Sequence, residues 1–281
     1  MASPDTARLM ITGPSPRGWH RLQQAAECLQ KYAWTYEDPA ASKDSKSPAL
    51  VKGSLVHLAL AQHYARKRDG EEGWVEPVEA VELMAKVDKN TQYVPEVVKT
   101  YEEYVRRFEY EDRNWTVIKV EDLLEVQIAG KYRLTGRMDL VIEDLAGRIF
   151  VVDHKTTGRI TSAHAQYYGV SGQLLGYAHM ARHHFGERFA GLIVNLVQLG
   201  GERFDRIVLP RSPKLEAGFE QIVVDIEESI ERMQAQGRHF ADWPKAINEM
   251  TCYGRYGACN HIDKCRFGKG ASTAGAWKWG G

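Results

Sequence analysis

Two carboxylates set inside apolar strand sequence constrain this chain more than any other feature. Asp139 lies in Gly136-Arg-Met-Asp-Leu-Val and Asp153 in Ile149-Phe-Val-Val-Asp-His-Lys, runs whose Val, Ile and Leu favour β-structure. Taking an unpaired carboxylate out of water costs on the order of several kcal/mol, so two of them on consecutive strands call for a shared cation. Hard oxygen donors suit Mg²⁺ or Mn²⁺. Asp153 and Lys155 are two residues apart, which in a strand turns both side chains to one face. A lysine beside metal-bound carboxylates can orient or deprotonate a water for attack on phosphorus, while the metal lowers that water's pKa, and the chemistry expected is phosphodiester hydrolysis. An isolated Asp-x-Lys is ordinarily a surface ion pair, so the rest of the chain has to supply the context.

Periodicity predicts a helical first third. Residues 16–36 place Trp19, Leu22, Ala26, Leu29 and Ala33 at helical spacing, with Ser15 or Pro16 as the opening residue and Cys28 on the helix. A loop over 38–48 rich in Ala, Ser, Lys and Pro follows, then helices over 51–68, 77–87 and 94–110. The period then changes. Short β-prone runs at 115–127, 132–142 and 149–153 are bounded by Gly130-Lys131 and by the turn at 144–147, which predicts three consecutive antiparallel strands. A helix over 163–185, strands over 192–199 and 203–209 and a long amphipathic helix over 213–236 complete the order. The tail from Phe240 has little periodicity and needs a cross-link to be ordered.

Four cysteines, at 28, 252, 259 and 265, offer that cross-link. No apolar run of membrane-spanning length and no secretory leader is present, so a cytoplasmic setting without membrane is expected, where thiolates around a metal are commoner than disulfides. The spacing, one distant cysteine and then x6 and x5, lacks the tight pairs usual for zinc; it leans toward an iron–sulfur cluster, with structural Zn²⁺ as the alternative. A cross-link from 28 to 252 closes a loop of over 200 residues and so constrains the unfolded chain. Lys plus Arg and Asp plus Glu both number 37, so the global field points to no polyanion and any nucleic-acid binding rests on local patches. Arg66-Lys67-Arg68, and Lys264 with Arg266, are candidates for phosphates, and Tyr167, Tyr168, Trp277 and Trp279 for base stacking. No helicase-type phosphate loop occurs.

Taken in order, Gly53-Ser-Leu-Val-His57, Gly136-Arg-Met-Asp139, Asp153-His154-Lys155 and Gln173-Leu-Leu-Gly-Tyr177 resemble the motifs of the RecB-like branch of the PD-(D/E)XK nucleases, which includes CRISPR-associated and phage-encoded relatives with an iron–sulfur cluster. The x6 spacing after Cys252 resembles the phage-type branch. The resemblance implies an α/β fold, a mixed central β-sheet flanked by helices around a restriction-endonuclease-like core. It implies a helical region over 1–110 carrying Cys28 and His57, the core over 111–240, and a cluster segment over 241–281 packing with Cys28. It implies Mg²⁺ or Mn²⁺ held by His57, Asp139, Asp153 and the backbone carbonyl of His154, with Lys155 as catalytic lysine and Gln173 and Tyr177 beside it. A [4Fe–4S] cluster on Cys28, Cys252, Cys259 and Cys265 follows from it as well. Glu125, on the strand before Asp139, is a further candidate acid or outer metal ligand. The activity implied is that of a metal-dependent exonuclease on single-stranded DNA or DNA ends, in the host cytoplasm if phage-encoded, with a recombination or replication protein as partner. The alternative is a catalytically silent DNA-binding or adaptor protein on the same scaffold.

Overall fold

The computed structural model describes residues 8–39, 47–71, 73–201, 203–209, 212–254 and 257–268. Its helices are α1 (Trp19–Glu27), α2 (Leu29–Tyr32), α3 (Pro48–Asp69), α4 (Pro77–Val87), α5 (Val94–Asp112), α6 (Ala163–Gly169), α7 (Gly172–Phe185), α8 (Pro213–Ala235), α9 (Glu249–Cys252) and α10 (Ile262–Phe267). The strands are β1 (Thr116–Ile128), β2 (Tyr132–Glu143), β3 (Ile149–Thr157), β4 (Phe189–Gln198) and β5 (Phe204–Leu209), with a small pair β6 (Tyr253–Gly254) and β7 (Gly257–Ala258). No helix among the described residues is long and apolar enough to cross a membrane.

The five main strands form one mixed sheet in sequence order. β1–β2, β2–β3 and β4–β5 are antiparallel, and β3–β4 is parallel. A parallel step needs a crossover, which α6 and α7 supply. The predicted single helix over 163–185 is therefore two: Ser171 ends the first segment and caps the second, its side chain accepting from the Leu174 N–H at 3.5 Å.

The chain divides into two compact units, Met1–Trp19 with Asp44–Val224 and His20–Lys43 with Asp225–Gly281. In the first, α3, α4 and α5 lay Leu55, Ala59, Val81, Val97 and Phe108 on Val120, Leu140, Val152 and Ile193 of the sheet. That continuous core is why the helices expected as a separate region over 1–110 pack as one unit with the sheet. Helix α3 starts where Ser47 caps the Leu50 N–H and Pro48 takes the first turn, and it ends on Arg66, Lys67 and Arg68, which suit the negative end of its dipole. Ser15 opens no helix; its hydroxyl donates to the Thr135 carbonyl at 2.9 Å and pins the entering chain to β2.

In the second unit Ala25, Tyr32, Ala33, Ile230, Met233 and Trp243 form a small core. Buried Arg21 pairs with Glu227 and donates to the Tyr32 hydroxyl. Cys28 is not helical, contrary to the periodicity: it is extended (φ −166°, ψ 113°) between α1 and α2. The reason is tertiary. The Gln30 N–H bonds the Pro244 carbonyl at 2.9 Å and its amide bonds the Phe240 carbonyl at 2.7 Å, partners that outbid one helix running through.

Candidate active site

The β2–β3 ladder ends at Leu140↔Val152, and the next residues on each strand, Asp139 and Asp153, stand where the strands part. The His154 N–H donates to Asp139 Oδ2 at 2.8 Å, so a side chain ends the ladder. Helix α3 approaches closely here: a Cβ on Gly53 would sit 2.7 Å from Thr156 Oγ1 on β3. One turn later His57 places Nδ1 3.5 Å from Asp139 Oδ2.

Asp153 is 1% exposed. Lys155 Nζ lies 2.7 Å from its Oδ2, while its Oδ1 is buried with no hydrogen-bond donor. Lys155 also donates to Gln173 Oε1 at 3.0 Å, the Gln173 amide donates to the Tyr177 hydroxyl at 3.0 Å, and that hydroxyl donates to the Arg137 carbonyl at 2.7 Å. Gln173 and Tyr177, one turn apart on α7, thus tie the lysine to β2. Gly136 makes room for that helix, since a Cβ there would meet Tyr177 Cε1 at 3.1 Å and Met180 Cε at 2.3 Å.

Glu121 is the residue that the motifs do not reveal. Val120↔Leu140 and Asp122↔Met138 flank it in the β1–β2 register, so it stands across from Asp139. It is buried, and its φ of 48° breaks the strand's alternation, leaving Val120 and Glu121 both inside. A non-glycine residue held there costs about 1–3 kcal/mol, which the neighbouring structure must offset. Donor atoms of Glu121, Asp139 and His57 lie within 4.8 Å of one another. Glu125, expected near the site, is corrected by the same register: it opposes Thr135, is exposed, and pairs with Arg133. Counting back from the Gly130 turn puts 121 opposite 139, because Ile128↔Tyr132 closes the hairpin, but strand alternation would set Glu121 outward with Leu123 and Glu125, so its burial needs the break at φ 48°.

Burial raises the Asp153 pKa, and the Asp139 carboxylate adds to it. Burial and then the Asp139 carboxylate push Glu121 up to about 9. Burial opposes charge on Lys155, but Asp153 and Asp139 outweigh it and hold its pKa above the usual lysine value. Burial depresses His154 to about 3. Its imidazole faces away from Lys155, stacked on Tyr64 (centroids 5.9 Å, 11°) and bonded to Asn195 at 2.7 Å, so a metal could take only its backbone carbonyl. Two carboxylates beside one lysine, a third close to Asp139, one oxygen without a donor, and the His57 nitrogen are a donor set that a hard divalent cation fits.

The basic residues proposed for phosphates are engaged locally. Arg66 donates to the Trp74 carbonyl, Lys67 to the Asp112 carbonyl and Arg68 to Asp69. Lys264 pairs with Asp38 and lies 4.8 Å over the Trp34 ring, and Arg266 stacks on Phe267. Tyr167 is half exposed and packs edge-on against Tyr168. Trp277 and Trp279 lie outside the described residues.

Within the second unit the four thiols share one neighbourhood. Ala246 donates its N–H to Cys28 Sγ at 3.4 Å, and Cys252 Sγ lies 3.5 Å from the Ala246 carbonyl. The Cys259 N–H bonds the Cys252 carbonyl at 2.8 Å. Burial and then, against the pull of Lys245, the fields of Cys28, Cys252 and Cys259 raise the Cys265 pKa. Four half-buried thiols in one neighbourhood, with a backbone N–H aimed at the Cys28 sulfur, fit a soft metal or an iron–sulfur cluster.

The sequence signature of the PD-(D/E)XK nuclease superfamily matches residues 19–266. No curated protein sequence matches the chain. Among solved structures it is similar to one named "Putative exonuclease" from Eubacterium rectale, with TM-score 0.54 and 14% identity over 88% of this chain and 86% of that one, which is a likeness of fold. A second, the structure of SSO0001, has TM-score 0.32 and 15% identity over 71% of this chain and 84% of that one, too loose a likeness to carry an argument.

Proposed function

Because the chain belongs to the PD-(D/E)XK nuclease superfamily, we propose that it is a divalent-metal-dependent deoxyribonuclease, an exonuclease on single-stranded DNA or DNA ends. The observation that carries the reading is Asp153 Oδ1, a fully buried carboxylate oxygen with no donor, on a carboxyl that feels the charges of Asp139 and Glu121, which with His57 bring donor atoms within 4.8 Å of one another. Left so, the oxygen forfeits its hydration for nothing; a cation bound there repays it. His57, Glu121, Asp139, Asp153 and the His154 carbonyl would hold Mg²⁺ or Mn²⁺. When bound, the ion lowers the pKa of a water and offsets charge building up on the phosphate.

Lys155 is held between Asp153 and Gln173, and the two carboxylates keep it an ammonium. It is placed to orient the attacking water and to neutralise phosphate charge. Gln173 and Tyr177 fix its position. The name of the E. rectale relative supports exonuclease action. Cys28, Cys252, Cys259 and Cys265 would hold a [4Fe–4S] cluster that ties the second unit together, a structural role.

Anaerobically purified protein with end-labelled single- and double-stranded DNA tests this. Mn²⁺- or Mg²⁺-dependent degradation, falling about 10²–10³-fold in Lys155→Ala and abolished in Asp139→Ala, is the expected result, and the label reports polarity. Folded, brown wild type that binds DNA without cutting it would favour the silent adaptor, and a colourless protein would favour zinc.

A further inference from the structure

We propose that Asn195 is a positioning residue for the metal-binding carboxylates, acting through His154; the inference rests on the nuclease reading above. His154 lies between Asp153 and Lys155, and its N–H holds Asp139 Oδ2, so three residues of the site depend on where this one backbone unit sits. Its imidazole turns to the side of the sheet away from Asp153 and Lys155, the side α3 covers, where it also lies edge-on to His57 (centroids 6.0 Å). There Asn195, across from it in the parallel β3–β4 register and fully buried, approaches Nδ1 at 2.7 Å.

The direction of each bond follows from Asp112, which can only accept. Tyr64 donates to Asp112 Oδ2 at 2.8 Å, so the Tyr64 oxygen accepts from the Tyr104 hydroxyl at 2.8 Å. The Tyr104 oxygen then accepts from Arg206 at 2.9 Å and from the Asn195 amide at 2.8 Å. Arg206 closes the circuit on Asp112 Oδ1 at 2.6 Å. Asn195 spends its second N–H on His154, which must present a bare Nδ1 and carry its proton on Nε2. Turning the amide over would strand two donors in place of the single oxygen, Asn195 Oδ1, that now lacks a partner.

Tyr64, Tyr104, Asp112, Asn195 and Arg206 are all buried, and they meet the candidate site at the His154 ring, through the Asn195 bond and the Tyr64 stack. A network this deep rigidifies what it touches. Outer partners of metal ligands are worth about 10–100-fold in metal affinity.

Mn²⁺ binding by calorimetry, together with thermal unfolding in EDTA, is measured for wild type, Asn195→Ala and Tyr64→Phe. The last removes an equally buried hydroxyl but leaves the Asn195–His154 bond and the ring stack in place. Asn195→Ala is expected to bind Mn²⁺ about 10–100-fold more weakly, while Tyr64→Phe loses comparable thermal stability and keeps wild-type affinity. Asn195→Ser, which retains one donor, is expected between the two and serves if the alanine variant does not fold. Affinity within twofold of wild type in a folded Asn195 variant overturns the proposal, as does an equal loss in Tyr64→Phe. Wild type that binds no Mn²⁺ removes the nuclease reading itself.

Discussion

Glu121→Gln in metal-free protein separates the cost of the acidic cluster from its use. In the fold Glu121 titrates near 9, against an ordinary 4.5, because burial and the Asp139 carboxylate disfavour its charge. A raised carboxyl pKa means that the folded chain holds a proton the unfolded chain gives up, so stability is full below about pH 4.5 and falls until about pH 9. Between 4.5 and 8 the loss at about 1.4 kcal/mol per pH unit is about 5 kcal/mol. Because Glu121 titrates together with the carboxylates beside it, part of that loss belongs to the cluster, and roughly 2–3 kcal/mol is the expected penalty at pH 8. Glutamine keeps the shape and cannot ionise. In EDTA, Glu121→Gln should match wild type at pH 5 and unfold roughly 4–8 °C higher at pH 8, at about 2–3 °C per kcal/mol for a chain of this size. With saturating Mn²⁺ the order should reverse, because the variant has lost a charged ligand. Differential scanning calorimetry at both pH values reads this directly; parallel pH slopes for the two proteins in EDTA would refute the argument from burial.

Gly53→Ala should destabilise the chain by about 1–3 kcal/mol, since the new Cβ meets Thr156 Oγ1 and α3 must shift; the displaced His57 should also weaken Mn²⁺ binding, which calorimetry would show. Glu125→Gln should leave the cleavage rate and Mn²⁺ affinity within twofold of wild type, because the side chain is exposed on Arg133, and a loss as large as that of Glu121→Gln would reverse the assignment. Cys265→Ser should abolish visible absorption of anaerobic protein and lower its unfolding temperature, and a retained spectrum would exclude this cysteine as a ligand.

Local pattern determined much of this protein. Asp139 and Asp153-x-Lys155 are conspicuous because charge is costly in apolar strands, and Gln173 and Tyr177 are linked by one helical turn. The strand meander and most helices could be drawn to within a few residues, since period 2 and period 3.6 are properties of short segments. What depends on partners far along the chain was decided only by the tertiary structure. Glu121 and Glu125 both look like acids on one strand; the hairpin register and a single residue at φ 48° bury the first and expose the second. Cys28 reads as helical until Gln30 finds Pro244 and Phe240, more than 200 residues away. The helices over 47–112 look like a region of their own until their apolar faces meet the sheet. Asn195 looks like an ordinary polar residue in a buried strand, and its place beside His154 exists only because β4 runs parallel to β3 in one register. Periodicity is written residue by residue, whereas register, close approach and buried hydrogen bonds are set by the whole fold finding its lowest free energy at once.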